Sequence, residues 1–63
     1  MEQFELPGGI EVNLKRAREY SKMENIDEAL IYFEKARIQA LEEEKYELCR
    51  AITKEIADLL ENQ

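Results

Sequence analysis

Residues 24–36 read ENIDEALIYFEKA, and this stretch predicts a tight turn that leads into an amphipathic helix. Ala29 and Ala36 are seven residues apart, and Phe33 lies between them on the same helical face. The small residues allow a neighbouring helix to approach closely, and the aromatic ring fills the space between them. The stretch therefore predicts a helix that packs in an antiparallel hairpin.

Helical spacing of apolar residues continues on both sides of this stretch. A first helix is expected from about Ile10 to Met23, with its core stripe at Ile10, Leu14, Ala17, Tyr20 or Ser21, and Met23. The second helix is expected to end near Leu41 or Glu43, with its stripe at Ile26, Ala29, Leu30, Phe33, Ala36 or Arg37, Ala40 and Leu41. A third helix is expected over about Tyr46 to Glu61, with its stripe at Leu48, Cys49, Ile52, Ile56, Leu59 and Leu60.

The break between the second and third helices has only a weak signal in the sequence. Residues 42–45 read EEEK, and adjacent like charges disfavour a helix only slightly. Without a break, the two helices would merge into one rod of about 35 residues, roughly 50 Å long, whose apolar stripe would need a partner chain. With a break, the chain forms a compact all-α three-helix bundle, in which a hairpin over Ile10–Leu41 is followed by a C-terminal helix. We favour the bundle.

The first nine residues differ in composition from the rest. They contain Pro7, Gly8 and Gly9, which mark a boundary. We therefore expect an extended segment over residues 1–9 and a single helical domain over residues 10–63. Phe4 and Leu6 of the segment could fold back into a groove of that domain.

Composition excludes several classes of function. The net charge of −6 argues against nonspecific binding to nucleic acids or anionic membranes, which requires a basic surface. No apolar run approaches the length of about 20 residues that a membrane span needs. The sequence begins without a basic and apolar leader, and Cys49 is its only cysteine, so we expect a cytoplasmic protein.

Catalytic chemistry has little support in the sequence. There is no histidine to act as a base for Ser21 or Thr53. Cys49 lies on an apolar stripe, which favours a small core residue over a reactive thiol. Consecutive residues of a helix are about 100° apart around its axis, so the acidic side chains of residues 42–44 point in different directions. They therefore do not predict a metal site. We expect a non-enzymatic protein with no cofactor and no metal.

Two groups of residues are candidates for binding a partner. Lys15, Arg18 and Lys22 form a basic stripe, with Arg16 beside it, which either docks an acidic partner or faces the acidic third helix or solvent. Ile31 and Ile38 are seven residues apart on a face distinct from the core face, which predicts a groove or a surface covered by the third helix or a dimer mate. Further apolar candidates for this groove are Tyr32, Tyr46 and Ile52.

Residues 13–36 resemble a tetratricopeptide (TPR) helix hairpin, and equally the microtubule-interacting-and-trafficking (MIT) domain. In the first helix, the TPR likeness rests on the small residue Ala17 and the aromatic Tyr20. It continues through the turn at residues 25–29 and, in the second helix, rests on the aromatic Phe33 and the small residue Ala36. Residues 14–20, LKRAREY, are similar to the first helix of the MIT domain of katanin-type ATPases. The resemblance covers roughly 24 of the 63 residues.

The sequence departs from both families at specific positions. Glu24 stands where both usually have glycine, Arg16 where the TPR repeat has a large apolar residue, and Leu41 where that repeat usually ends in proline. A left-handed backbone at Glu24 would be strained by about 1 kcal/mol. Because a TPR array needs about three repeats, an MIT-like bundle suits the length better.

The resemblance implies a protein–protein interaction module that binds an amphipathic peptide helix between its own helices. Together with the basic stripe, it leads us to expect a small module for an amphipathic or acidic peptide of a protein partner. The alternative is a self-assembling homodimer of structural role, in which paired chains complete the core.

Overall fold

The structure, a computed structural model, describes residues 9–62. Over this range it contains three α-helices and no strand, with α1 at Gly9–Lys22, α2 at Ile26–Glu42 and α3 at Tyr46–Glu61. It confirms the predicted all-α three-helix bundle and excludes the merged rod. The predicted fold-back of Phe4 and Leu6 falls outside the described residues.

α2 is the middle helix of the bundle. It packs against both α1 and α3, whereas α1 and α3 contact each other much less. The domain is accordingly thin, with principal extents of 39 × 24 × 13 Å. Its buried core combines the predicted faces of α1 and α2 with one residue of α3, and consists of Ile10, Leu14, Ala17, Ala29, Phe33, Ala36, Ala40 and Ile52.

Four alanines belong to the buried core. Ala17 on α1 and three alanines on α2, Ala29, Ala36 and Ala40, have no exposed surface. Phe33 is 2% exposed and fills the space between the α2 alanines, as the sequence predicts. Because methyl side chains extend only a short distance from the helix axis, they allow a neighbouring helix to approach closely.

The turn between α1 and α2 is a Schellman motif, in which a left-handed residue ends the helix. The Asn25 backbone N–H donates to the Tyr20 carbonyl at 2.9 Å, and the Glu24 N–H donates to the Ser21 carbonyl at 3.0 Å. Glu24 has φ +60°, which confirms the left-handed backbone that the family resemblance suggests. The side chain of Asn25 makes no capping hydrogen bond to α2.

The turn between α2 and α3 repeats this geometry. The Lys45 N–H donates to the Ala40 carbonyl at 2.8 Å, and the Glu44 N–H donates to the Leu41 carbonyl at 3.0 Å. Glu44 also has φ +60°. The left-handed residue therefore makes the break within the acidic run.

We expect the double substitution Glu24→Gly, Glu44→Gly to stabilise the protein. Glycine removes about 1–2 kcal/mol of left-handed strain at each site, while its greater freedom in the unfolded chain costs about 0.4–1 kcal/mol. The net gain is about 0–3 kcal/mol for the pair, and each kcal/mol raises Tm by roughly 4–8 °C in a domain of this size. Thermal melting followed by circular dichroism measures the change.

Glu43→Gly is the matched control for that experiment. Glu43 has φ −90°, so glycine relieves no left-handed strain there and is expected to lower stability slightly. If all three glycine substitutions lower Tm, strain at Glu24 and Glu44 does not limit stability.

Three residues of the predicted core stripes are exposed, so those assignments were wrong. Met23 is 65% exposed, and Leu41 and Leu60 are each 49% exposed. Met23 lies in the turn after α1, while Leu41 and Leu60 are the penultimate residues of α2 and α3. The spacing of apolar residues along one helix does not reveal whether a neighbouring helix covers the end of that helix. Cys49 packs against the core but is only partly buried.

Candidate functional site

A groove between α1 and α2 gathers aromatic, aliphatic and basic side chains. It has a volume of about 330 Å³, and we call it the α1–α2 groove, defined by Asn13, Arg16, Tyr32, Lys35, Ile38 and Gln39. The Asn13 side-chain Nδ2 donates to Gln39 Oε1 at 2.8 Å, which joins the two helices at one end. Among these lining residues there are two cations and no carboxylate.

Tyr32 organises the basic side chains of this groove. Its ring is stacked on that of Tyr20, with centroids 5.6 Å apart and an angle of 11° between the planes. The Arg16 Cζ lies 5.8 Å from the centroid of the Tyr32 ring, and the Lys35 Nζ lies 5.0 Å from it. Cations held over an aromatic face gain about 0.5–1 kcal/mol at exposed sites. The two positive charges, one from each helix, are therefore held close to a common apolar surface.

The structure distinguishes the apolar candidates predicted from sequence. Ile38 is 47% exposed and lines the α1–α2 groove beside Tyr32. Ile31 is also exposed, at 48%, but is not among the residues lining the groove. Tyr46, the first residue of α3, is exposed. Ile52 has no exposed surface, so its assignment to a partner groove was wrong, because that side chain fills the core beneath α3.

The predicted basic stripe lies on the other flank of α1. Arg18 forms a two-pronged ion pair with Glu55 of α3, with Nε to Oε1 at 3.1 Å and a terminal guanidinium nitrogen to Oε2 at 2.6 Å. This hydrogen bonding raises the pKa of the Arg18 guanidinium above its ordinary value. Part of the stripe thus faces the acidic third helix, which was one of the two predicted outcomes. Lys15 and Lys22 are exposed.

Acidic residues surround the remainder of that stripe. A shallow depression of about 330 Å³ on α1 is lined by Glu11, Leu14, Lys15, Arg18, Glu19 and Lys22. A wider groove of about 740 Å³ separates the C-terminal halves of α1 and α3, and two cations and three carboxylates lie among its lining residues, Arg18, Ser21, Lys22, Glu24, Ile26, Phe33, Glu55, Asp58, Leu59 and Asn62. On both surfaces, carboxylates lie among the cations.

Only part of the α1–α2 groove was predictable from the sequence. Tyr32 and Ile38 were candidates, and Arg16 was noted beside the basic stripe, but Lys35 was missed. The available signal was the three-residue spacing of Tyr32 and Lys35, which places a cation beside an aromatic ring on one helical face. The pairing of Asn13 with Gln39 had no signal within either helix.

In residues 9–62, no three His, Cys, Asp or Glu side chains are grouped so that they could hold a metal ion. Within the same range, no helix combines the length and the apolar character that a membrane span requires. Comparison of the chain with protein-family models, curated proteins and solved structures gives no match. The resemblance to TPR and MIT hairpins therefore stays a prediction.

Proposed function

We propose that this chain is a small, non-enzymatic protein–protein interaction module. Its α1–α2 groove holds a peptide of a partner protein that carries both acidic and apolar side chains. The observation that carries the proposal is the lining of that groove, where Arg16 and Lys35 flank the ring of Tyr32 and none of the described lining residues is a carboxylate. The likeness of residues 13–36 to TPR and MIT hairpins supports this mode of binding. A cytoplasmic setting, predicted from the sequence, accompanies the proposal.

Each part of the groove suits one part of such a peptide. An apolar side chain packs against Tyr32 and the exposed surface of Ile38, and neighbouring carboxylates pair with Arg16 and Lys35. The guanidinium of Arg16 can donate two parallel N–H hydrogen bonds to one carboxylate, which adds directional specificity. Because the whole chain carries −6, long-range repulsion opposes an acidic peptide elsewhere on the surface and favours this local basic site.

Charge reversal within the groove tests the proposal. The probe is a fluorescein-labelled synthetic peptide of ten residues that alternates Glu with Phe and Leu, and fluorescence polarisation gives its Kd. We expect Arg16→Glu, Lys35→Glu to weaken binding at least about tenfold, because about 1.4 kcal/mol corresponds to a factor of ten and two attractive charges become repulsive.

The matched control is Arg50→Glu, Lys54→Glu on α3. These cations are exposed and lie outside the α1–α2 groove, and either pair of reversals takes the net charge from −6 to −10. Similar losses in the two variants would mean that the probe responds only to overall charge. A loss seen only with Lys15→Glu, Arg18→Glu, Lys22→Glu would move the site to the α1 stripe, and absence of binding to the unaltered chain would refute the proposal.

Self-assembly into a homodimer is a second candidate, favoured by a different observation. Leu41, Tyr46 and Leu60 are half-exposed, and α3 contributes only one fully buried side chain, Ile52, to the core. A second chain packed along α3 would cover Tyr46 and Leu60, which lie near the two ends of that helix. Molar mass measured by sedimentation over a hundredfold range of concentration separates the candidates, since a monomer throughout supports the peptide-binding module and a stable dimer supports self-assembly.

A further inference from the structure

The chain enters α1 at one end of the α1–α2 groove. Gly9 is the first residue of α1 and has φ +50°, a conformation that favours glycine. A Cβ built on Gly9 would lie 3.5 Å from Nε2 of Gln39, and Gln39 lines the groove beside Asn13. Residues 1–8 are therefore attached directly at the mouth of the site proposed above.

Residues 1–8 have the composition that this groove suits. They read MEQFELPG, with two carboxylates at Glu2 and Glu5, two large apolar residues at Phe4 and Leu6, and no basic side chain. Arg16 and Lys35 offer the complementary charge, and Tyr32 and Ile38 offer the apolar surface.

The connection is long enough for this segment to reach the basic end of the groove. From Gly9 to Arg16, α1 rises about 10 Å over seven residues. The chain would have to reverse direction at the turn-forming residues Pro7 and Gly8, which precede Gly9. Beyond this reversal, the four residues from Leu6 back to Glu2 span up to about 14 Å when extended.

We propose that the segment over residues 1–8 occupies the α1–α2 groove of its own chain and competes there with the partner's peptide. Its apolar side chains pack against Tyr32 and Ile38, and its carboxylates pair with Arg16 and Lys35. This inference rests on the proposed function, because it assigns regulation to the same groove. A partner then binds only by displacing the segment.

The test uses the full chain with Phe4→Ser, Glu5→Lys, which removes one apolar and one acidic group and keeps the length. A short connection gives an effective concentration on the order of 1 mM, so a segment with an intrinsic Kd on the order of 0.1 mM would weaken partner binding about tenfold. We therefore expect this variant to bind the Glu/Phe/Leu probe peptide about tenfold more tightly than the unaltered chain. Amide NMR shifts should change at Arg16, Tyr32 and Lys35.

The control is Leu60→Ser, Glu47→Lys, which makes the same chemical changes at exposed positions of α3 and should leave affinity for the probe within twofold. Equal affinities of the segment variant and the unaltered chain, with unchanged amide shifts in the groove, overturn the inference and leave the proposed function standing. If no variant binds the probe, the proposed function fails, and the NMR comparison decides the inference. Shifts confined to the α1–α2 groove then support occupancy by the segment, and shifts elsewhere or none overturn it.

Discussion

The substitution Ile52→Ala is expected to lower the free energy of unfolding by about 2–5 kcal/mol, the usual cost of replacing a fully buried isoleucine with alanine. Ile52 has no exposed surface and is the only residue of α3 buried to this degree. Domains of this length rarely have more than about 3–5 kcal/mol of net stability. The variant should therefore be largely unfolded at 37 °C, with α3 detached from α2.

Urea unfolding followed by circular dichroism measures this loss, and Ile31→Ala is the control. The control removes the same atoms from a side chain that is 48% exposed. Because little apolar surface returns to water and no closed cavity forms, it should lower the free energy of unfolding by no more than about 1 kcal/mol. If both variants unfold at the same urea concentration, Ile52 does not anchor α3.

The second large effect is expected from adding atoms to the core. Ala36 has no exposed surface and lies on α2, close to Phe33 along the same buried face. Ala36→Leu introduces three carbon atoms where there is no space for them, and overpacking of this kind costs about 1–3 kcal/mol or more. The helices must then separate, which also exposes part of Phe33.

Ala57→Leu tests whether this effect comes from packing. Ala57 is exposed on α3, so the same substitution there should change stability by no more than about 0.5 kcal/mol. Comparison of the two urea midpoints isolates the cost of crowding at Ala36. An unchanged midpoint for Ala36→Leu would contradict tight packing of the core around Ala36.

The helices were predictable because their apolar residues are regularly spaced, but the second turn was only weakly indicated. Residues 43–45 contain neither glycine nor proline, and glutamate is an unusual residue in the left-handed region that Glu44 occupies. The backbone conformation that glutamate prefers at position 44 therefore opposes the turn. The packing of Ile52 and its neighbours on α2 offsets this cost, and such tertiary compensation has no signal in residues 42–45 themselves.

The candidate site was harder to predict because periodicity describes one helix at a time. Arg16 and Arg18 are two positions apart and so point about 200° from each other around α1. Arg18 pairs with Glu55 on α3, whereas Arg16 lies over Tyr32 on α2. Which flank of α1 meets which helix depends on the arrangement of all three helices. The predicted stripe therefore combined a structural ion pair with exposed lysines, and it omitted Lys35.

The middle position of α2 has a consequence for how quickly the chain folds. Each major helix contact joins elements that are consecutive in the sequence, since α2 packs against the helix before it and the helix after it. Helical proteins with such local contacts have low contact order and fold within about microseconds to milliseconds. The α1–α2 hairpin provides the surface on which α3 docks, so no distant segments have to find each other before the core closes. The unfolded chain thus exposes its apolar residues only briefly, although its final core is small.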